Sequence, residues 1–184
     1  MNHWEVICGL VMADPDYREL IEHGEPRPGH PEGSVKAHIE ELEANLGRLR
    51  DRLTEEEYHK LRFLVHVHDT FKARAQRGVA VTHPRSHASL ARQFAARFTD
   101  DPDLLAMVQY HDEGYALWRH AQADGTINEA RFERLLGSIV DWRLFLIFNI
   151  IDGSTAGKDP ERLRWFLELV NTRLDTGVDE SWLL

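Results

Sequence analysis

An all-α, single-domain helical bundle is expected from three features of the 184-residue chain. Apolar residues recur at steps of three and four through most of the sequence, and no segment alternates as a half-buried strand does. Helix-start signals recur: Ser34, the capping box Thr54-Glu55-Glu56-Glu57, Asp100-Asp101-Pro102 and Asp159-Pro160. No repeat, low-complexity stretch or linker divides the chain, so residues 1–184 read as one domain with a core over about 30–157.

Taken in order, a short N-terminal helical piece precedes Glu22 to Gly33, where three prolines and three glycines break regular structure. Ser34 caps a helix to about Leu53, with Val35, Leu42, Leu46 and Leu49 on one face. The capping box at Thr54 opens a helix with the stripe Leu61, Leu64/Val65, Phe71 and Ala75, closed at Gly78. A third runs from about Pro84 to Phe98 with Leu90, Ala91 and Phe94 inward. A fourth, from Asp100-Asp101-Pro102, carries Leu104, Leu105, Val108, Tyr115 and Trp118. The turn Asp124-Gly125 leads to a helix over about Asn128 to Leu136. Ile139 to Ile151 is the most apolar segment and reads as a buried central helix. Asp159-Pro160 caps the last helix, to about Arg173, before the apolar tail Trp182-Leu183-Leu184.

Composition narrows function. Charged residues at 29% and the AVILMFWYC set at 42% suit a folded globular chain, which sets aside disorder and collagen-like repeats. Uncharged runs such as Leu144 to Ile151 fall far short of the roughly 20 residues of a membrane span. Met1-Asn2-His3-Trp4-Glu5 has no basic n-region, so a cytoplasmic protein without a secretory signal is expected. The net charge of -9 argues against an extended nucleic-acid face. Cys8 is the only cysteine, which excludes an internal disulfide and Cys-based zinc motifs, whereas histidines number eleven. Any metal site must be built from imidazole and carboxylate.

Placement sorts those histidines. His38 falls three residues after Val35, His68 four after Leu64, His87 three before Leu90 and His111 three after Val108. Asp152 falls four after Phe148, at the end of the most hydrophobic run. Each therefore points to the core side of its own helix. One such histidine is ordinarily a hydrogen-bonded core residue, and Asp152 alone has the alternative of capping the turn at Gly153-Ser154. Five together are another matter: a buried unpaired polar group costs about 1–3 kcal/mol, against a domain stability of about 5–15 kcal/mol. One convergent site that satisfies them all is the simpler account, and Asp69 beside His68 adds a second carboxylate. His66 lies on another face of its helix, and His83 precedes Pro84, outside the helix. His30 is a further candidate from the irregular segment, while His3, His23, His59 and His120 read as surface residues.

Imidazoles with carboxylates suit Mn, Fe, Co, Ni or Zn rather than Mg or Ca. Six ligands suit two divalent transition-metal ions, a pair able to bind a phosphoryl oxygen and activate a bridging water. Lys72, near His68, has two readings: a phosphate-pairing cation or a helix-terminal lysine complementing the dipole. Asp112 and Glu113 are candidates for proton transfer or plain solvated charges, and Lys158 and Arg143 are candidate phosphate contacts near Asp152.

At these residues the chain resembles a known family. Val65-His66-Val67-His68-Asp69-Thr70-Phe71-Lys72 is similar to the HD signature, and the ordered set His38, His68-Asp69, His87, His111 and Asp152 resembles the HD-domain metal-dependent phosphohydrolases over about residues 30–157. His30-Pro31-Glu32-Gly33-Ser34-Val35, with His38 and Tyr110-His111-Asp112, looks especially like the HD domain of bacterial tRNA nucleotidyltransferases. The resemblance implies a helical bundle of the HD type, the doublet on a central helix, and hydrolysis of a phosphomonoester or phosphodiester, often of a nucleotide. It implies one ion on His38, His68, Asp69 and Asp152, a second through His87 and His111, and Asp69 as the bridge. Asp69, Lys72 and Asp112 are then the expected catalytic side chains. The chain departs from the signature at Phe71, where glycine is usual before the lysine, and a stand-alone protein is expected because the nucleotidyltransferase domain is absent. Two other readings keep the site: a di-iron oxygenase, or a regulatory module that binds metal or nucleotide without turnover. The expected partner is a small phosphate ester or nucleotide, with no membrane.

Overall fold

The computed structural model describes residues 2–28 and 31–184, and it is helical throughout. Gly24 and Ser34 form an isolated antiparallel bridge, and no strand occurs among the described residues. The helices are α1 (His3–Ala13), α2 (Pro15–Leu20), α3 (Val35–Arg48), α4 (Glu55–Val67), α5 (His87–Ala95), α6 (Pro102–Tyr110), α7 (Glu113–Asp124), α8 (Glu129–Ser138), α9 (Trp142–Gly153) and α10 (Pro160–Asn171). Short 3-10 turns occupy Arg50–Arg52, Lys72–Arg74 and Glu180–Trp182.

Local chemistry explains where the helices begin. Ser34, Ser86 and Asn128 each accept a backbone N–H of the first turn, and Thr54 with Glu57 forms a reciprocal capping box. Asp101 and Asp159 do the same for helices that open with proline at the first position. Gly125 closes α7 in the left-handed region, φ 69°.

The core is one apolar cluster. α4 lies at its centre and packs on α1, α3, α5, α6 and α9. α9 is buried along most of its length, its buried residues including Phe145, Ile147, Phe148 and Ile151. Trp182 is buried at 6% exposure, so the apolar tail docks on its own chain, with Arg52 3.7 Å and Arg143 4.7 Å from its ring.

Several helices are shorter than the periodicity suggests. α3 stops at Arg48 and continues as a 3-10 turn. α4 ends at Val67 rather than near Gly78, so Phe71 lies beyond it and packs against Phe94, ring centroids 5.2 Å apart. α5 begins at His87 rather than Pro84 and ends at Ala95. The single helix expected from Asp100 through Trp118 is two, α6 and α7, broken at His111-Asp112. Tyr115, on the expected apolar stripe, lies past that break in α7 and is 42% exposed.

The segment before α3 is tied to that helix by Val35 N–H donating to the His23 carbonyl and Lys36 N–H to that of Ile21. Gly24 and Gly33 make the loop possible: a Cβ on Gly24 would fall 2.4 Å from the Gly33 carbonyl oxygen. This loop carries Glu32 to the base of α3.

Candidate metal centre

The side chains expected to converge do so at helix ends. His68 is the C-terminal cap of α4 and Asp69 follows it. His87 is the first residue of α5, His111 the C-terminal cap of α6, and Asp152 the penultimate residue of α9. His38 stands in the first turns of α3.

They form two triads, His38/His68/Asp152 and Asp69/His87/His111, each with one ligand atom per residue and all atoms within 4.8 Å of one another. Asp69 joins them. Its Oδ2 lies 3.3 Å from His68 Nε2 and 3.8 Å from His38 Nε2. Its Oδ1 lies 3.5 Å from His111 Nε2 and 3.8 Å from His87 Nε2. Asp152 Oδ1 approaches His38 Nε2 at 3.0 Å, and His87 Nε2 meets His111 Nε2 at 3.2 Å.

The ring orientations are set by a surrounding layer. His68 Nδ1–H donates to the Leu64 and Val65 carbonyls at 3.1 Å, and His111 Nδ1–H to the Val108 carbonyl at 2.8 Å. His38 Nδ1 faces Glu32 Oε1 at 3.1 Å. A carbonyl only accepts, so Nδ1 carries a proton in His68 and His111, and Nε2 is aimed inward. That is how proteins orient metal-ligating imidazoles.

Electrostatics follow from burial and crowding. Burial alone would raise the Asp69 carboxyl, but the Lys72 ammonium and the His68 and His111 rings outweigh it and hold it well below the usual range. Asp152 is held low against burial in the same way by Lys158, then His38 and His68. His68 is shifted down, chiefly by burial. For His111 burial is overcome by Asp112 and Asp69, which push it up to about 9.

The donor set fits such an ion by an independent observation. His68 Nε2 and Asp69 Oδ1 are buried and make no hydrogen bond among the described residues. Both point into the cluster, where a cation would satisfy them. Buried His and Asp side chains that can hold a metal are therefore present.

The flanking candidates separate. Lys72 begins a 3-10 turn just past the doublet and pairs with Asp69 Oδ2. Asp112 Oδ2 is 3.1 Å from His87 Nε2. Lys158 Nζ pairs with Asp152 Oδ1 at 2.8 Å. Arg143 is a correction: its side chain pairs with Glu57 at 2.9 Å and packs on Trp182, at the opposite end of α9 from Asp152. Glu113 is buried in a two-bond pair with Arg131, both at 2.6 Å, so its role is structural.

His66 is buried away from the cluster, between the Tyr17 hydroxyl and Glu43. His83 Nδ1 accepts from Arg85 N–H. His30 lies outside the described residues. Glu32 is the site residue that periodicity misses, because it sits in the irregular loop and no helical register applies to it.

A cleft of about 1130 Å³ opens over the cluster, reached by His38, Asp69, Lys72, His87 and Asp112. That is at the upper end for small-molecule sites. No described helix is long and apolar enough to cross a membrane. Comparison with protein-family models, with curated proteins and with solved structures yields no match to this chain.

Proposed function

We propose that the protein is a metal-dependent phosphohydrolase of the HD type, acting on a phosphate ester of a small, nucleotide-like molecule. The observation that carries this reading is Asp69, whose two carboxylate oxygens each face a separate His-containing triad. A carboxylate so placed suits two divalent ions of the Mn, Fe, Co, Ni or Zn group. Held there by His38, His68 and Asp152 on one side and His87 and His111 on the other, they would supply Lewis acidity and a lowered pKa for bound water.

The chain's own residues account for the remainder. Lys72 sits at the floor of the cleft with its ammonium on Asp69, near enough to the cluster to neutralise a phosphoryl oxygen as a point charge. Asp112 reaches the cleft and touches His87, the position from which a carboxylate can take or return a proton at the reacting centre. Lys158 keeps Asp152 ionised and oriented. Phe71 packs against Phe94 and helps fix the turn that presents Lys72. The HD resemblance of the ordered ligand set supports the same reading.

A sweep of divalent metals against p-nitrophenyl phosphate, bis-p-nitrophenyl phosphate and a nucleotide panel tests it. Metal-dependent phosphate or phenol release, lost in Asp69→Asn, is the expected result. Bound metal with no release from any ester would overturn the hydrolase reading.

A further inference from the structure

The chain is strongly acidic, with 31 Asp and Glu against 22 Lys and Arg. All four lysines pair with carboxylates among the described residues, and so do eight of the eighteen arginines. Three of the arginines that do not pair share the mouth of the cleft. Arg27, Arg77 and Arg119 all line it, all are exposed, and none has a carboxylate within ion-pair distance among the described residues. They come from three separate segments: the loop before α3, the stretch after the Lys72–Arg74 turn, and α7.

The carboxylates of the same cleft are mostly committed elsewhere. Glu113 is taken by Arg131 and Asp124 by His120, while Glu32, Asp69 and Asp112 face imidazoles. Glu25 alone is not engaged by a cation among the described residues. Lys72 and Arg131 are paired with Asp69 and Glu113, so the three arginines are the cations of this lining left without a carboxylate partner among the described residues, in a cleft read as binding phosphate. Guanidinium forks suit phosphate oxygens in geometry as well as charge.

Size points the same way. A cleft of about 1130 Å³ exceeds what one phosphoryl group and a small leaving group would fill. We propose that Arg27, Arg77 and Arg119 form a second anion subsite, so that the substrate carries a further phosphate remote from the one cleaved. This rests on the phosphohydrolase reading for the cleaved phosphate, but the subsite itself is a binding claim.

The test uses a matched pair, adenosine 5′-monophosphate and adenosine 3′,5′-bisphosphate, on the metal-loaded protein at low salt. Apparent affinity is read from the concentration dependence of the melting temperature, with released phosphate assayed alongside. The bisphosphate is expected to bind at least tenfold more tightly, a preference that shrinks with salt. In the triple variant Arg27→Gln/Arg77→Gln/Arg119→Gln the preference should fall to within about twofold, with monophosphate affinity unchanged. All three residues are exposed, so folding is not at stake. Equal affinity for the pair, including no shift with either, overturns the subsite, as does a preference that survives the triple variant. Preference without phosphate release upholds the subsite and counts against the hydrolase; release without preference does the reverse.

Discussion

Removing one triad should remove one ion. His87 and His111 supply two of the three ligands of the second triad and none of the first. The double variant His87→Ala/His111→Ala therefore leaves Asp69 as the sole ligand there, while His38, His68 and Asp152 stay in place. For an ion at one hundred times its dissociation constant, binding to the folded state contributes about 2.7 kcal/mol. Two independent sites then contribute about 5.4 kcal/mol to the wild type and one about 2.7 kcal/mol to the variant. In a chain of this size each kcal/mol moves the melting temperature by about 2–4 °C. Restoring metal to stripped protein should thus raise the wild type by roughly 11–22 °C and the variant by about half that. Elemental analysis reads the count directly: two ions per chain falling to one. Asp69→Asn is the sharper companion, because its two oxygens face different triads and one substitution should weaken both. Two ions retained by the double variant would refute the division into triads. So would an Asp69→Asn protein that binds metal as the wild type does.

Other expectations concern the scaffold. Arg131→Met strands the Glu113 carboxylate, which is 5% exposed, and should cost about 2–3 kcal/mol in chemical denaturation, less than a fully buried pair because Arg131 is partly exposed. Gly153→Ala, normally favourable in a helix, should destabilise by about 1–3 kcal/mol, since the added Cβ would fall 2.6 Å from Leu163 Cδ2; an unchanged unfolding midpoint would count against that packing. Burial pushes the Cys8 thiol up to about 12, so it should resist Ellman's reagent at pH 8 until the protein unfolds. The sign of its pH effect follows: the unfolded thiol ionises first, so stability should fall as pH rises from about 9 towards 12, and a Cys8→Ala protein should lack that component.

The cluster was legible because its histidines and Asp152 violate the hydrophobic pattern, and a violation can be counted. Four histidines and Asp152 stood where apolar side chains were due, and the structure brings all of them to Asp69. Caps were legible for a related reason: Ser34, Thr54, Asp101 and Asp159 act through their own first turns and need no tertiary information. Helix ends without such a signal were not. No glycine or proline directly follows Val67 or His111 to announce the end of α4 or the break between α6 and α7. Phe71 and Tyr115 were read as stripe partners of His68 and His111, yet both lie past the break. The histidines were placed correctly from their upstream neighbours Leu64 and Val108 alone.

That pattern bears on how the site is built. A ligand in mid-helix has its backbone groups already paired, and its direction follows the helix axis. A ligand at a terminus has a turn to spare. His68 and His111 end their helices and use Nδ1 to satisfy the carbonyl three residues back, of Val65 and Val108, one of the groups a helix C-terminus leaves open. The same hydrogen bond that closes the helix fixes the tautomer and turns Nε2 to the centre. Helix termination and ligand orientation are thus one interaction, made twice, on opposite sides of Asp69. Substituting either histidine with glutamine, which can still reach a carbonyl, should therefore preserve the fold better than alanine while losing the ion. Comparing unfolding midpoints of metal-free His111→Gln and His111→Ala checks this, and equal midpoints would show that the ring nitrogen does not help to end α6.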